Sequence, residues 1–486
     1  MFITTKARRA HRTRAVAGIV AFVAFAAACS SSSSSSSSKT TATSAATSAT
    51  SAAAGATTAA AATTAAAATS PTATTGSTGG AATTGAATTA AGGSGAPGGE
   101  AFKVDTSKCT DPASVTAKVT GSWKVGYSAP LSGPVAGVVT YALDGFKARI
   151  AAANAADELK GVKIDVTYKD DQFTPDKAKA NATEFLQSDH VDSLLTFGSG
   201  PVGAMADDQN ADCVPLLYPS SSVQKYRDIS QYPWTVQYLP AGDAEARYDI
   251  GLITSKFPSG AKVGIAENQT ASGKGESAAF QAAAKGTNLT IAVVAPSTDP
   301  NAAATQLKAA NVDVVYDAGI SSDCGPVVQA MDRIGFTPKL VINPSNCADS
   351  TAYVASGKAA DGNVIPSFLK NPASAALAND AGVKMYLSQV TTDDKNNAIT
   401  VAGWVTADLL VNTLKQAAAS SGGLSRLSAI QAARNQKYAS PMFIDGINWE
   451  STPTTLTGID AFQTTVWNAA DQSFHLDGSL ISVAAK

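Results

Sequence analysis

The chain has 486 residues, of which 44% are hydrophobic and only 15% charged, with 36 basic against 38 acidic side chains. That balance excludes a nucleic-acid partner, since no basic patch with interleaved aromatics occurs anywhere along it. Five cysteines and three histidines make a sparse reactive inventory.

The first element is a leader. Lys6, Arg8, Arg9, Arg12 and Arg14 precede an apolar run, Ala15–Ala28, too short and alanine-rich for a membrane span and suited to an export signal. Ala26-Ala27-Ala28-Cys29 resembles the lipobox of bacterial lipoproteins, although Leu usually stands where Ala26 does. The resemblance implies a diacylglycerol on Cys29 and anchoring to the outer face of the cytoplasmic membrane; the alternative is plain cleavage after an Ala-x-Ala site. Durable anchoring takes more than one acyl chain. Acylating Cys29 leaves Cys109, Cys213, Cys324 and Cys347, an even number in a disulfide-permissive compartment, with three possible connectivities. Without the leader the chain has 31 basic and 38 acidic residues, a net charge of −7.

Residues 30–99 are almost wholly Ser, Thr, Ala and Gly, with Lys39 their only charge. Such a segment has no large apolar side chains to bury, so it reads as a disordered tether. Its root-mean-square reach is roughly 45 Å. A lead-in of 100–120 follows.

From Gly121 about 365 residues remain, enough for two cores. Trp123–Ser128 is an apolar strand. The next helix carries Val139, Ala142, Leu143, Phe146, Ile150 and Ala153 on one face, with Asp144, Lys147 and Arg149 pointing away. Val162, Ile164, Val166 and Tyr168 alternate with polar residues, which predicts a strand near a sheet edge. Helix 175–188, strand 191–197, helix 201–211 and strand 214–218 continue the series. After Tyr232–Tyr238 a second series runs through helix 243–257, strand 262–266, helix 274–286, strand 289–294 and helix 301–310. Strand 312–317, helix 325–334 and strand 339–343 complete it. Single helices between strands imply parallel sheets in two doubly wound α/β lobes, with a ligand cleft beyond the strand C-termini. Helices 373–389, 396–419 and 424–434 and strands 442–449 and 459–468 are expected to return to the lobes. The expected division is 121–239 with 367–441, and 240–366 with 442–486.

Val125-Gly-Tyr-Ser-Ala-Pro-Leu-Ser-Gly-Pro134, Asp144-Gly145, Asn154-Ala155, Asp170-Asp171-Gln172 and the strand ending in Gly198-Ser-Gly200 resemble the branched-chain amino-acid-type periplasmic binding proteins. Pro219-Ser-Ser-Ser222 and the late Gly446-Ile-Asn-Trp449 extend the likeness over most of 121–486. The resemblance implies a type I two-lobe protein with three crossovers, the Leu/Ile/Val-binding-like substrate-binding subunit of an ABC importer. It implies a small-molecule ligand, permease partners, a monomer, no cofactor and no metal.

It also implies binding loops at strand ends. Ser199 and Gly200 follow one strand and Ser220, Ser221 and Ser222 the next. Gly198-Ser-Gly-Pro201 independently offers exposed N–H groups and a helix dipole to an anion; ordinary helix capping is the plainer alternative. In the second lobe Thr270, Ser272, Ile320 and Asn346 are the candidates, with Val138 near the mouth. There the family's aromatic falls near Ser272, its Gly-Tyr is replaced by Gly319-Ile320, and Asn346 stands in the loop that elsewhere holds an acid. A neutral amide cannot replace that charge, although Asp317, Asp323 and Asp349 stand near in sequence, so a small polar or amphipathic ligand, amino-acid-like or carboxylate, is expected rather than leucine, isoleucine or valine. Cys324 and Cys347 lie just past strand ends of that lobe and Cys109 and Cys213 both precede strands of the first, which favours those two pairings.

Other classes fit less well. Gly198-Ser-Gly-Pro-Val-Gly203 matches the dinucleotide fingerprint, yet Tyr218-Pro-Ser-Ser lacks the ribose-binding acid. An exported hydrolase would need more than His190 and His475, and no GxSxG, HExxH or Walker A run occurs. A lipid-anchored ligand sensor uses the same lobes and is the remaining alternative.

Overall fold

A computed structural model describes residues 101–321 and 323–483. The leader, Cys29, the 30–99 segment and Ser322 lie outside the described residues. Among the described residues no helix is long and apolar enough to cross a membrane.

The lead-in is packed against the body. Phe102 and Val115 are buried, α1 (Pro112–Thr116) is capped by Asp111, and the Val119 amide donates to the Leu424 carbonyl at 2.8 Å. Cys109 is bonded to Cys213.

The first lobe is built on five parallel strands, β1 (Ser122–Ala129), β2 (Lys163–Asp170), β3 (Ser193–Thr196), β4 (Leu216–Leu217) and β5 (Thr235–Val236), in the order β2-β1-β3-β4-β5. Helices α2 (Ala136–Ala155), α3 (Pro175–Glu184) and α4 (Ser199–Ala211) make the crossovers. β2 is the edge strand, and its exposed Lys163, Asp165 and Thr167 alternate with covered side chains as its sequence requires.

The second lobe repeats the plan. α5 (Gly242–Lys256) leads to β6 (Ala261–Glu267), α6 (Ala271–Ala284), β7 (Leu289–Pro296), α7 (Pro300–Ala309) and β8 (Val314–Ala318). Then come α8 (Cys324–Arg333), β9 (Leu340–Ile342), α9 (Ser350–Ser356) and β10 (Val364–Ser367). The chain next supplies α10 (Ala381–Gln389), α11 (Ala398–Ala419) and α12 (Arg426–Ala433). A small sheet follows from β11 (Gln436–Tyr438), β12 (Trp449–Ser451) and β13 (Leu456–Gly458). β14 (Ala461–Asn468) and β15 (Ser473–Ser482) finish the larger sheet, ordered β15-β14-β10-β9-β8-β6-β7, with both late strands antiparallel.

The late region differs from expectation in several places, among them the short strands β11 and β13. Residues 442–448 are turns rather than a strand, because their backbone is spent on the returning segment: Lys370 donates to Met442 and Ile444 donates to Phe368. The helix expected from 373 begins only at Ala381, where the Asp380 carboxylate accepts from the Val383 amide at 2.8 Å. β15 is unforeseen; its mostly exposed side chains leave no apolar alternation to read.

All five tryptophans are buried. The tightest seam in the first lobe lies between α2 and α11. A Cβ on Gly145 would stand 1.9 Å from the Thr400 carbonyl oxygen, and one on Gly403 would stand 1.8 Å from that of Ala142. Two bare backbones therefore touch. Arg149 corrects the helical-wheel reading: it is 6% exposed, pairs with Asp408 at 2.8 Å and Glu158 at 2.7 Å, and lies over the Trp404 ring. Burial opposes this charge, and the two carboxylates that answer it offset the penalty.

Candidate functional site

The strand ends of the two lobes face each other, and local backbone geometry aims their loops. Gly198 turns the chain at φ +96° from β3 into α4, and a Cβ there would meet the Phe173 ring at 2.4 Å. Tyr218, a non-glycine at φ +60°, ends β4; its hydroxyl bonds Thr413 at 2.5 Å and its ring packs edge-on against Trp449. Such strain persists where surroundings over-determine it. The two loops are stitched together, since Ser220 donates to Thr196 at 3.2 Å and Gly198 donates to Ser220 at 3.0 Å.

From the second lobe, Thr270 caps α6 by accepting from the Gly273 amide, which presents Ser272 across the seam. The Ser272 hydroxyl donates to Ser199 Oγ at 3.1 Å and accepts from the Ser199 amide at 3.4 Å. Ser221 donates to the same Ser199 oxygen at 3.0 Å and is held by Gln237 at 2.8 Å. Ser222 donates to the Glu276 carboxylate, again from one lobe to the other. Hydroxyls thus bridge the lobes.

Behind this polar seam lie two adjoining cavities that share Phe197, Ser220, Leu239, Ser321 and Asn346. One is walled by Tyr127, Phe146, Tyr238 and Phe368 and by Ala398, Ala402 and Gly403 of α11. The other adds Val138, Phe173, Ser272 and Ile320. Both lobes contribute to each.

Two supports fix the second-lobe rim. Cys324 is bonded to Cys347, tying the start of α8 to the loop that carries Asn346. Glu245 of α5 accepts from both the amide and the hydroxyl of Ser345 at 2.6 Å, which positions Asn346 next to it. Burial, and then the neighbouring Glu276, push the Glu245 carboxyl up to about 8. Asp249 and Glu276 are raised as well, chiefly by burial, with Ser222 and Arg227 pulling Glu276 back. Arg227 is itself lowered to about 10 by burial, against the pull of Asp243 and Glu276.

The candidates from sequence fall into three groups. Ser220, Ser272, Ile320, Asn346 and Val138 line the cavities. Ser199, Ser221 and Ser222 form the bridging hydroxyls at their edge. Gly200 and Thr270 line neither cavity; Gly200 lies in the first turn of α4 against Pro175 and Thr270 serves as a cap. The aromatic walls and the α11 contribution are absent from the sequence reading. A signal existed for α11: it is apolar almost all round, as a helix buried between layers must be. Among the described residues no group of His, Cys, Asp and Glu could hold a metal ion.

Comparison with known proteins agrees with this geometry. A family model described as periplasmic binding protein matches residues 122–454. Leu/Ile/Val-binding protein homolog 3 of Brucella melitensis is 25% identical over 263 residues, covering 51% of this chain and 69% of that protein. Homolog 2 of Brucella abortus is 25% identical over 268 residues, covering 53% and 71%. The structure of a Thermus thermophilus branched-chain amino acid ABC transporter protein with bound valine superposes with a TM-score of 0.68 at 14% identity, covering 75% of this chain and 97% of that one. A solute-binding protein from R. palustris in complex with benzoate gives 0.62 at 18% identity, covering 74% and 98%. These superpositions establish a shared type I two-lobe fold.

Proposed function

Because the chain belongs to the periplasmic binding protein family, whose members bind solutes rather than transform them, we propose that it is the extracytoplasmic solute-binding lipoprotein of an ABC importer. It is anchored through Cys29 to the outer face of the cytoplasmic membrane, acts as a monomer, and delivers a small polar or amphipathic ligand to permease subunits. The relatives named for leucine, isoleucine and valine binding support transport of amino-acid-like or carboxylate solutes.

The observation that carries this reading is a cavity enclosed by both lobes, with Ser199 and Ser272 meeting at its edge. A ligand touching both walls is satisfied only when the lobes close. Shifting an open–closed equilibrium from one extreme to the other takes about 5.5 kcal/mol of differential binding. Hinge segments suited to that motion run through Tyr238–Gly242, Ile365–Phe368 and Ser440–Phe443, and Phe368 accepts from the Ile444 amide just beyond the last of them. Ser199, Ser220, Ser221 and Ser222 would hold the ligand from the first lobe, and Ser272, Ile320 and Asn346 from the second.

The test is a thermal-shift and calorimetric screen of the full mature chain against amino acids, short peptides, amides, urea and organic acids. A saturable one-to-one ligand whose affinity falls in Ser199→Ala and Ser221→Ala is the expected result. Turnover of a hit, or affinity untouched by both substitutions, refutes the reading.

A further inference from the structure

We infer that the ligand is an uncharged molecule with an apolar body and one polar end that both accepts and donates a hydrogen bond, as a primary amide does. This rests on the cleft being the ligand site, and it narrows the proposed small polar or amphipathic solute to a neutral one, in place of the amino-acid-like or carboxylate class that the relatives suggest.

The walls define the body. Tyr127, Phe146, Phe197 and Phe368 present ring surface, and Ile399 with Gly403 closes the opposite side. Aromatic walls of this kind favour flat or branched hydrocarbon.

The lining holds no ionic side chain. Neither cavity is lined by Asp, Glu, Lys, Arg or His. The nearby acids lie outside the lining: Glu245 holds Ser345, Glu276 holds Ser222 with one oxygen, and Asp317 is fully buried, one oxygen accepting from Asn343 at 3.3 Å and the other without a partner. An α-amino acid would bring in both an ammonium and a carboxylate, and an unpaired ion is expensive to bury.

The lining also specifies the polar end, because two of its groups are unspent. Tyr238 is 1% exposed and its hydroxyl has no partner; the side-chain oxygen of Asn346 is likewise buried without one. Burial keeps the Tyr238 phenol protonated, so it offers a donor. Asn346 offers an acceptor. Their neighbours are already engaged, since Ser321 donates to the Asn346 carbonyl and Ser345 to Glu245. A carboxylate would serve Tyr238 and leave the Asn346 oxygen without a donor. An ammonium would serve Asn346 and could donate to the Tyr238 oxygen, yet it brings a charge that no lining side chain answers. A carboxamide satisfies both.

The experiment is calorimetric titration of the full mature chain at pH 7 with a matched series: 4-methylpentanamide, 4-methylpentanoate and L-leucine, then benzamide and benzoate. The better amide should bind at least about ten-fold more tightly than the matching ions. Tyr238→Phe and Asn346→Leu should each weaken the amide about ten-fold or more, with the unfolding midpoint of each variant checked by calorimetry. Asn346→Asp should instead raise affinity for 3-methylbutylamine over the amide. Leucine or an anion binding more tightly than the amides overturns this ligand class and leaves solute binding standing. Amide affinity unchanged in both Tyr238→Phe and Asn346→Leu also overturns it. No saturable binding by any compound overturns this inference, and the functional reading falls with it only if the wider screen is equally empty.

Discussion

Replacing Gly145 by alanine isolates the seam on which the first lobe and the cavity floor both rest. The added carbon would sit 1.9 Å from the Thr400 oxygen and 2.8 Å from the Trp404 nitrogen, both backbone atoms with no freedom to swing aside. Restoring a C···O contact of about 3.4 Å requires α2 and α11 to part by about 1.5 Å. Overpacking typically costs 1–3 kcal/mol. Here the separation also disturbs the Arg149–Asp408 pair and the fully buried Trp404, so the upper end, about 3 kcal/mol, is expected. Gly137 supplies the control: it lies in the same helix, is exposed, and has open space where a Cβ would go. Gly137→Ala should be neutral or stabilise by up to about 1 kcal/mol. Guanidinium unfolding of both variants measures the difference. A Gly145→Ala loss below about 0.5 kcal/mol, or equal behaviour of the two alanines, refutes the close-contact argument.

Ser272→Ala removes the hydroxyl that joins the lobes at Ser199, and ligand affinity should fall about three- to ten-fold in calorimetry with little change in unfolding midpoint; unchanged affinity counts against hydroxyl bridging in the bound state. Glu245 sets a pH dependence. Its carboxyl is raised from 4.5 to about 8, so the folded chain holds a proton there that the unfolded chain has released. That stabilisation is complete below the unfolded value and is lost as pH rises toward 8, with a slope on the order of 1 kcal/mol per pH unit. Asp249 and Glu276 act with the same sign. Unfolding free energies at pH 6, 7 and 8 should decline less steeply in Glu245→Gln than in the parent, and parallel lines discredit the assignment. Opening the Cys324–Cys347 bridge in a double serine variant frees a loop of 23 residues, worth about 3 kcal/mol on the chain-entropy model. A loss under about 1 kcal/mol in denaturant would show that the reduced loop is already ordered.

Much of the architecture is written locally. The edge position of β2 follows from its alternation, and the crossover helices follow from single amphipathic faces between apolar strands. Both disulfide pairs match the pairing that strand position favours. Less of the cleft is legible, because its chemistry depends on residues far apart in the chain. Arg149 reads as solvated on a helical wheel; its partner Asp408 lies 259 positions later. Tyr238 reads as the end of the stretch before the second series, and nothing nearby in sequence says that its hydroxyl is left without a partner. Gly403 reads as a weakness in a helix until its contact with α2 is seen. Loop candidates such as Ser220 and Asn346 could be found from strand ends; which of them face the cavity is a matter of tertiary approach.

The Cys109–Cys213 bond joins the beginning of the folded body to a position just ahead of β4, on the side of the sheet away from the cleft. Any pull arriving from the N-terminal side therefore passes through sulfur into the rear of that lobe, with Thr110 bonded to Ala211 beside it. The cavity loops leave the opposite ends of the same strands, Ser220 following β4, so this covalent tie and the cleft sit apart within one lobe.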